Sequence, residues 1–171
     1  MRLLLVSGST RARSTNQAAL ATIAALAPQG AEAHLYTGLA ELPAFNPDDD
    51  HEPLPAPVVA LRAAIDAADA VVICTPEYAG TLPGSFKNLL DWTVGSTVLT
   101  DKPVAWVNVA APGRGGGALG TLTTVLGYVT ARVVEAACLT LPIGREDIGD
   151  DSLVVEPARR AALARVWAAF G

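Results

Sequence analysis

The stretch Leu3-Leu4-Leu5-Val6-Ser7-Gly8-Ser9-Thr10-Arg11-Ala12-Arg13-Ser14-Thr15-Asn16 decides the architecture. Its first four residues are continuously apolar, as in a strand buried on both faces. The run ends in Ser7-Gly8-Ser9, and after a polar loop Ser14 or Thr15 is placed to cap a helix. Leu20, Ile23 and Ala27 then share one helical face, until Pro28-Gln29-Gly30 stops the helix. A buried strand leading through a polar loop into a helix is the first half of a βαβ unit.

Outward from this unit the alternation continues. Ala33–Tyr36 reads as a second strand. Pro43 to Pro57 carries five prolines and an acidic cluster, which predicts an exposed loop without regular structure, either a cover for a site or a solvated connection. Val58, Leu61, Ile65 and Ala68 keep helical spacing. Ala70–Cys74 is a third buried strand, and Pro83 fits the first turn of a helix with Phe86, Leu89 and Leu90 inward and Asp91 outward. Pro103–Ala110 is a fourth strand. A loop with four glycines, Ala111–Gly117, leads to a helix over Ala118–Thr130 and a fifth strand within Arg132–Leu141. Glu156-Pro157 opens the last helix, whose Leu163, Val166, Trp167 and Phe170 form one stripe.

Five strands alternating with five helices predict an α/β three-layer sandwich, a parallel sheet with helices on both faces. Five strands favour the flavodoxin-like order 2-1-3-4-5 over a six-stranded dinucleotide fold. No repeat or linker divides the chain, so residues 1–171 read as a single domain. Ligands of such sheets bind beyond the carboxyl ends of the strands. Those ends carry Gly8–Asn16, Pro76–Gly80 and Ala111–Gly117, so three loops point to one site.

Composition narrows the classes. No apolar run reaches the ~18 residues of a membrane span, and Met1–Val6 is too short for a signal peptide, so a soluble, cytoplasmic protein is expected. Cys74 and Cys138 each sit in an apolar run, which suits buried, reduced thiols, and His34 and His51 have no partners at metal-ligand spacing. A net charge of −5 argues against a general nucleic-acid binder. The charge is uneven: residues 1–31 hold Arg2, Arg11 and Arg13 and no acid, whereas residues 32–61 hold six acids and no base. An acid-free basic loop in an acidic protein suits an anion.

The first loop has the chemistry for one. A helix N-terminus offers free N–H groups and a partial positive charge. Ser9, Ser14 and Thr15 add hydroxyls, Asn16 an amide and Arg11 a charged fork. A capped helix start with solvated arginines uses the same residues. Neither Gly-x-x-x-x-Gly-Lys-Ser/Thr nor Gly-x-Gly-x-x-Gly is present, so a monophosphate fits better than a nucleoside triphosphate or dinucleotide. In the second loop, Thr75–Gly80, the backbone can reach the polar edge of a flat ring and Tyr78 can stack on it, although a plain strand-to-helix turn also accounts for the residues. Lys87 and Asp91 have the spacing of a surface helix pair. The glycines at 113 and 115–117 allow close approach to a ring or simply tight packing.

Taken together, Gly8-Ser9-x-Arg11-x-x-Ser14-x-Asn16, Thr75-Pro-Glu-Tyr-Ala-Gly with Pro83-Gly84-x-x-Lys87-Asn88-x-x-Asp91-Trp92, and Gly113-Arg114-Gly115-Gly116 resemble the NADPH-dependent FMN reductase family, which includes quinone, chromate and azo-dye reductases. The likeness runs from Leu3 to the last helix. It implies that Ser9, Arg11, Ser14, Thr15 and Asn16 bind the FMN phosphate. It also implies that Pro76, Glu77, Tyr78, Ala79 and Gly80 line the isoalloxazine, with Gly113 beneath or beside it. A homodimer or homotetramer is implied as well. Two departures stand out: Ala79 replaces a common asparagine, and Ala111-Pro112 replaces a serine-glycine entry to the third loop.

The chemistry so implied is an NAD(P)H-dependent oxidoreductase working in ping-pong order, with FMN passing hydride from NADPH or NADH to a quinone-like acceptor. The cofactor carries that chemistry, so no catalytic side chain and no metal are expected, in keeping with the lack of a Ser, Cys or His constellation. A flavodoxin-type electron carrier without nicotinamide turnover, or a flavin-binding regulatory homologue, are the alternatives.

Overall fold

The computed structural model describes all 171 residues, Met1–Gly171. The first strand, β1 (Arg2–Ser7), is fully buried beyond Arg2. It leads into α1 (Thr15–Ala25), where Ser14 is the cap and its hydroxyl oxygen accepts from the Gln17 N–H. The edge strand β2 (Glu32–Tyr36) is only partly buried. Then come α2 (Ala56–Ala67), β3 (Ala70–Cys74), α3 (Gly84–Asp91), β4 (Pro103–Asn108) and α4 (Gly116–Tyr128). The chain finishes with β5 (Arg132–Val133), β6 (Leu139–Thr140) and α5 (Pro157–Phe170). All strand pairs are parallel, in the order β2-β1-β3-β4-β5, with β6 also on β4. The flavodoxin-like arrangement expected from the alternation is the one observed.

Strand residues point alternately to opposite faces, and each face has its own core. Leu4, Val6, Val71, Ile73 and Val104 pack with Val58, Leu61 and Ile65 of α2, Phe86 and Leu90 of α3, and Leu122 and Leu126 of α4. On the other face Leu3, Leu5, Val72 and Cys74 meet Leu20 and Ile23 of α1 and Leu163 and Val166 of α5. The Trp167 indole N–H donates to the Ile23 carbonyl at 2.8 Å, joining α5 to α1. Each fully buried leucine contributes ~1.5–3 kcal/mol, so these two layers fix where the loops between them stand.

Three expectations need correction. The fifth strand is broken: the edge chain runs from Val133 to Leu139 while β4 advances only from Val104 to Val107, and a 3-10 turn at Glu135–Ala137 takes up the excess. Glu-Ala-Ala is poor strand material, unlike the valines before it. Cys138 lies between this turn and β6 and is only partly buried. Helix α4 starts at Gly116, so the glycine-rich loop is shorter than its composition suggests.

The third concerns Pro43–Pro57, which is not a free loop. It holds a 3-10 turn at Pro47–Asp49, and its end is already the start of α2. The Pro43 carbonyl accepts from the Asn88 amide at 2.9 Å and from the Trp92 indole at 2.8 Å. Phe45 packs edge-on against Trp92, with its N–H donating to Asn88 Oδ1 at 2.7 Å. Asp50 pairs with Arg62 at 2.6 Å, and Arg62 also donates to the Trp92 carbonyl. The acidic segment is fastened along α3 and α2, and proline content alone does not reveal such an anchor.

Candidate functional site

The carboxyl ends of β1, β3 and β4 bring the three loops together. Gly8 donates to the Cys74 carbonyl at 2.9 Å. A Cβ at Gly8 would stand 2.2 Å from Thr75 Oγ1, so only glycine lets the first loop lie this close to the second. The second and third loops are joined by Glu77, whose Oε2 accepts from the N–H groups of Gly117 at 2.7 Å and Ala118 at 3.1 Å. Gly117 also lies against the Gly80 carbonyl, which a Cβ would meet at 2.0 Å.

The first loop is built from polar groups held in place. Ser9, Ser14 and Asn16 are buried, at 8, 7 and 6 % exposure, while Arg11 and Arg13 are exposed. Ser9 Oγ accepts from the Arg11 N–H at 3.2 Å. The Cys74 thiol donates to Asn16 Oδ1 at 3.2 Å, which leaves the Asn16 amide N–H groups on the other side. Burial pushes the Cys74 thiol up, so it stays protonated and serves as a donor. The backbone N–H groups of Thr10, Ala12, Arg13, Thr15 and Asn16 meet no acceptor within the protein. Free N–H groups at a helix start, buried hydroxyls, an amide and Arg11 are the donor set a phosphomonoester needs. These residues fit the 5′-phosphate of FMN.

The second loop is a two-residue hairpin turn. Tyr78 and Thr81 exchange backbone hydrogen bonds at 3.0 and 3.1 Å around Ala79 and Gly80, both of positive φ (50° and 77°). That is the geometry of a type I′ turn, for which Asn-Gly is the favoured pair. The asparagine that Ala79 replaces therefore matches a backbone requirement. Tyr78, 56 % exposed, stands out from the turn, and Pro76 is partly buried. Gly113 is exposed with φ 79°, in the loop before α4.

The structure thus gathers Ser9, Arg11, Ser14, Thr15 and Asn16 in one loop, with Pro76–Gly80 beside it and Gly113 in the loop beyond. Glu77 spends its carboxylate on α4, a link that no spacing in the sequence signals. Asn88 and Trp92, part of the most distinctive stretch, hold the acidic segment. Lys87 and Asp91 form the expected helix pair at 2.5 Å.

A cavity of about 600 Å³ opens beside the phosphate-type loop, toward β2. Tyr36 on its wall is held protonated, its phenol pushed up to about 12 by burial and by Glu41. No group of His, Cys, Asp and Glu is arranged to hold a metal ion, and no helix is long and apolar enough to cross a membrane.

A doubly wound sheet with a phosphate-type loop at β1 and two loops joined beside it defines a mononucleotide-binding α/β protein. Residues 1–146 match the model of the NADPH-dependent FMN reductase family, and the chain belongs to that family of oxidoreductases. It is 32 % identical over 156 residues to an NADPH azoreductase of Bacillus sp. strain OY1-2, covering 89 % of this chain and 84 % of that protein. It is 36 % identical over 106 residues to a quinone reductase of Escherichia coli K12, covering 61 % of this chain and 55 % of that one. The match thus spans little more than half of that second relative. Among solved structures, the flavoenzyme NAD(P)H:(acceptor) oxidoreductase FerB of Paracoccus denitrificans superposes with a TM-score of 0.84 at 28 % identity, over 99 % of this chain and 94 % of that one.

Proposed function

We propose that this chain is an NAD(P)H-dependent FMN oxidoreductase that passes electrons to a quinone or a similar acceptor. The observation that carries the reading is the set of unpaired N–H groups, buried hydroxyls and Arg11 at the start of α1, joined through Thr75 and Glu77 to two further loops.

In this reading Ser9, Arg11, Ser14, Thr15 and Asn16 hold the phosphate. Arg11 neutralises charge, while the helix start and the hydroxyls fix its position. Pro76–Gly80 and Gly113 offer backbone to the edge of the ring, and exposed Tyr78 covers one side. Bound FMN supplies hydride chemistry between a nicotinamide donor and an acceptor. The protein's share is alignment: loops joined side by side keep the ring edge fixed while donor and acceptor use the same face in turn, in ping-pong order. The acceptor gains two electrons and two protons, as when a quinone becomes a hydroquinone. Assembly as a homodimer or homotetramer in the cytoplasm completes the proposal.

Titrating the protein with FMN, then following NADH and NADPH oxidation with a quinone in the same cuvette, tests the reading. Stoichiometric flavin binding and parallel double-reciprocal lines are expected. A yellow protein that cycles one electron without oxidising either nicotinamide would be a carrier instead.

A further inference from the structure

We propose that Asp150, on the hairpin before α5, sets how tightly the flavin phosphate is held: its negative charge, in the wall of the cleft that Arg11 and Arg13 also line, weakens the grip on FMN and keeps the flavin exchangeable. The proposal rests on the reading above, in which the flavin phosphate occupies the loop at the start of α1.

Geometry makes the hairpin part of that site. The cleft of about 600 Å³ is lined by Ser9, Arg11, Arg13 and Ser14 of the phosphate loop and by Gly149, Asp150 and Ser152 of the hairpin. Ile148 pairs with Val154, the Gly149 N–H donates to the Leu153 carbonyl at 2.9 Å, and the Ser152 N–H donates to the Gly149 carbonyl at 2.9 Å. With Ser152 at φ 65°, this is a three-residue hairpin loop closed by a left-handed residue. Its base is fastened to α1, the helix whose start is the phosphate loop. The Val154 N–H donates to the Thr22 hydroxyl at 2.9 Å, and both residues are buried. The backbone at Asp150 therefore keeps a set place beside the phosphate loop. The hairpin also lies beyond residues 1–146, which match the family model, so the family signature does not carry this charge.

The charges around the cleft are unpaired. Arg11, Arg13 and Asp150 are all exposed, and none of them joins an ion pair. Asp151, by contrast, accepts from the Leu153 N–H at 3.0 Å and does not line the cleft. A phosphate entering the loop is attracted by two guanidinium groups and repelled by one carboxylate. Across roughly 8 Å, about one Debye length at physiological ionic strength, that repulsion lowers the affinity for a dianion by a factor of about two to five. Such a factor leaves the phosphate on the N–H groups and hydroxyls of the loop but hastens its release. Riboflavin has the ring and the ribityl chain without the phosphate, so its binding does not feel the carboxylate.

The test titrates the flavin-free protein with FMN and with riboflavin at low salt, in wild type, Asp150→Asn and Asp150→Lys. The preference for FMN over riboflavin is expected to rise about two- to fivefold in Asp150→Asn and about tenfold in Asp150→Lys, with slower FMN release. Inorganic phosphate, read by competition with FMN, should tighten in the same order, and the gains should vanish near 0.5 M salt. Glu32→Lys, at the far end of β2, changes the net charge as much as Asp150→Lys and should leave the preference unchanged. A preference that stays constant across the Asp150 series overturns the proposal. So does weaker FMN binding in Asp150→Asn, which would make the carboxylate a flavin contact. An equal gain for riboflavin, or an equal gain in Glu32→Lys, overturns it too. A wild-type chain that takes up no FMN overturns the functional reading as well; tight FMN binding that ignores residue 150 overturns this proposal alone.

Discussion

The Glu77 carboxylate accepts from the Gly117 N–H at 2.7 Å, tying the loop after β3 to the start of α4. Two orphan donors of a helix are thereby satisfied from another loop, the task usually given to a local cap. Glu77→Ala is expected to cost about 1–2 kcal/mol of stability. Because the two loops then drift apart, FMN binding is expected to weaken as well. Glu77→Gln keeps an acceptor and should lose less on both counts. Urea unfolding and FMN titration of the two variants check this; equal losses in both would show that the charge, not the link, matters.

Arg11 is the charged donor on the wall of the phosphate-type loop. Arg11→Ala is expected to weaken FMN binding by ~1.5–3 kcal/mol, the range for hydrogen bonds to charged groups, while the unfolding midpoint of the flavin-free protein barely changes. Fluorescence titration reads it directly, and unchanged affinity removes Arg11 from the site. Because Arg11 is exposed, a pair between it and the phosphate would be screened, and the difference between wild type and variant should shrink as salt rises.

Ala79 sits at φ 50° in the first central position of the Tyr78–Thr81 turn. A left-handed conformation costs an alanine ~1–2 kcal/mol, and asparagine tolerates it better. Ala79→Asn is therefore expected to stabilise the protein by about 0.5–1 kcal/mol, whereas Ala79→Val should destabilise it. Denaturation midpoints measured without flavin decide the matter. The change of residue is thus a cost in turn stability and no obstacle to the turn itself.

The order of the sheet was legible because each buried strand is a continuous apolar run ended by a turn residue, as at Val6-Ser7-Gly8 and Cys74-Thr75-Pro76. The phosphate-type loop was legible because hydroxyls, amide and arginine fall within one short segment. What stayed hidden depends on distant pairs. Nothing local says that Glu77 faces α4, that Trp92 meets Pro43, or that Asp50 reaches Arg62. The break in the last strand is hidden because Val133-Val134 and Cys138-Leu139 flank only three residues of weak strand preference, Glu135–Ala137, which carry too little signal.

The Trp92–Pro43 hydrogen bond predicts how the acidic segment comes loose. Trp92→Phe removes the indole donor and leaves a smaller ring in a fully buried place, so a loss of about 2 kcal/mol or more is expected. Asp50→Ala removes the partner of Arg62, whose side chain is 14 % exposed. Breaking such a pair costs ~3–5 kcal/mol when fully buried, and the retained bonds from Arg62 to the Trp92 carbonyl hold this case toward the lower end. Limited proteolysis should then cut between residues 43 and 55 faster in Asp50→Ala than in Trp92→Phe. The reverse order would place the main anchor at the tryptophan.

Acid should act through the cap of α5. Glu156 accepts from the N–H groups of Ala158 and Arg159, and these bonds, Ala158's first, with the nearby Arg159 charge, hold its carboxyl below the usual carboxylate range. Its folded value is thus lower than its unfolded value, ~4.3 for a free glutamate. The unfolded chain takes up the proton first as pH falls. The stabilisation is complete above the unfolded value and is lost as pH drops through the depressed folded one. Glu156→Gln keeps a side-chain acceptor for the helix N–H groups but cannot titrate. Urea unfolding from pH 7 to pH 3 should show wild type ahead at neutral pH and the gap closing below about pH 4. A gap that stays constant with pH would mean that Glu156 acts through its shape alone.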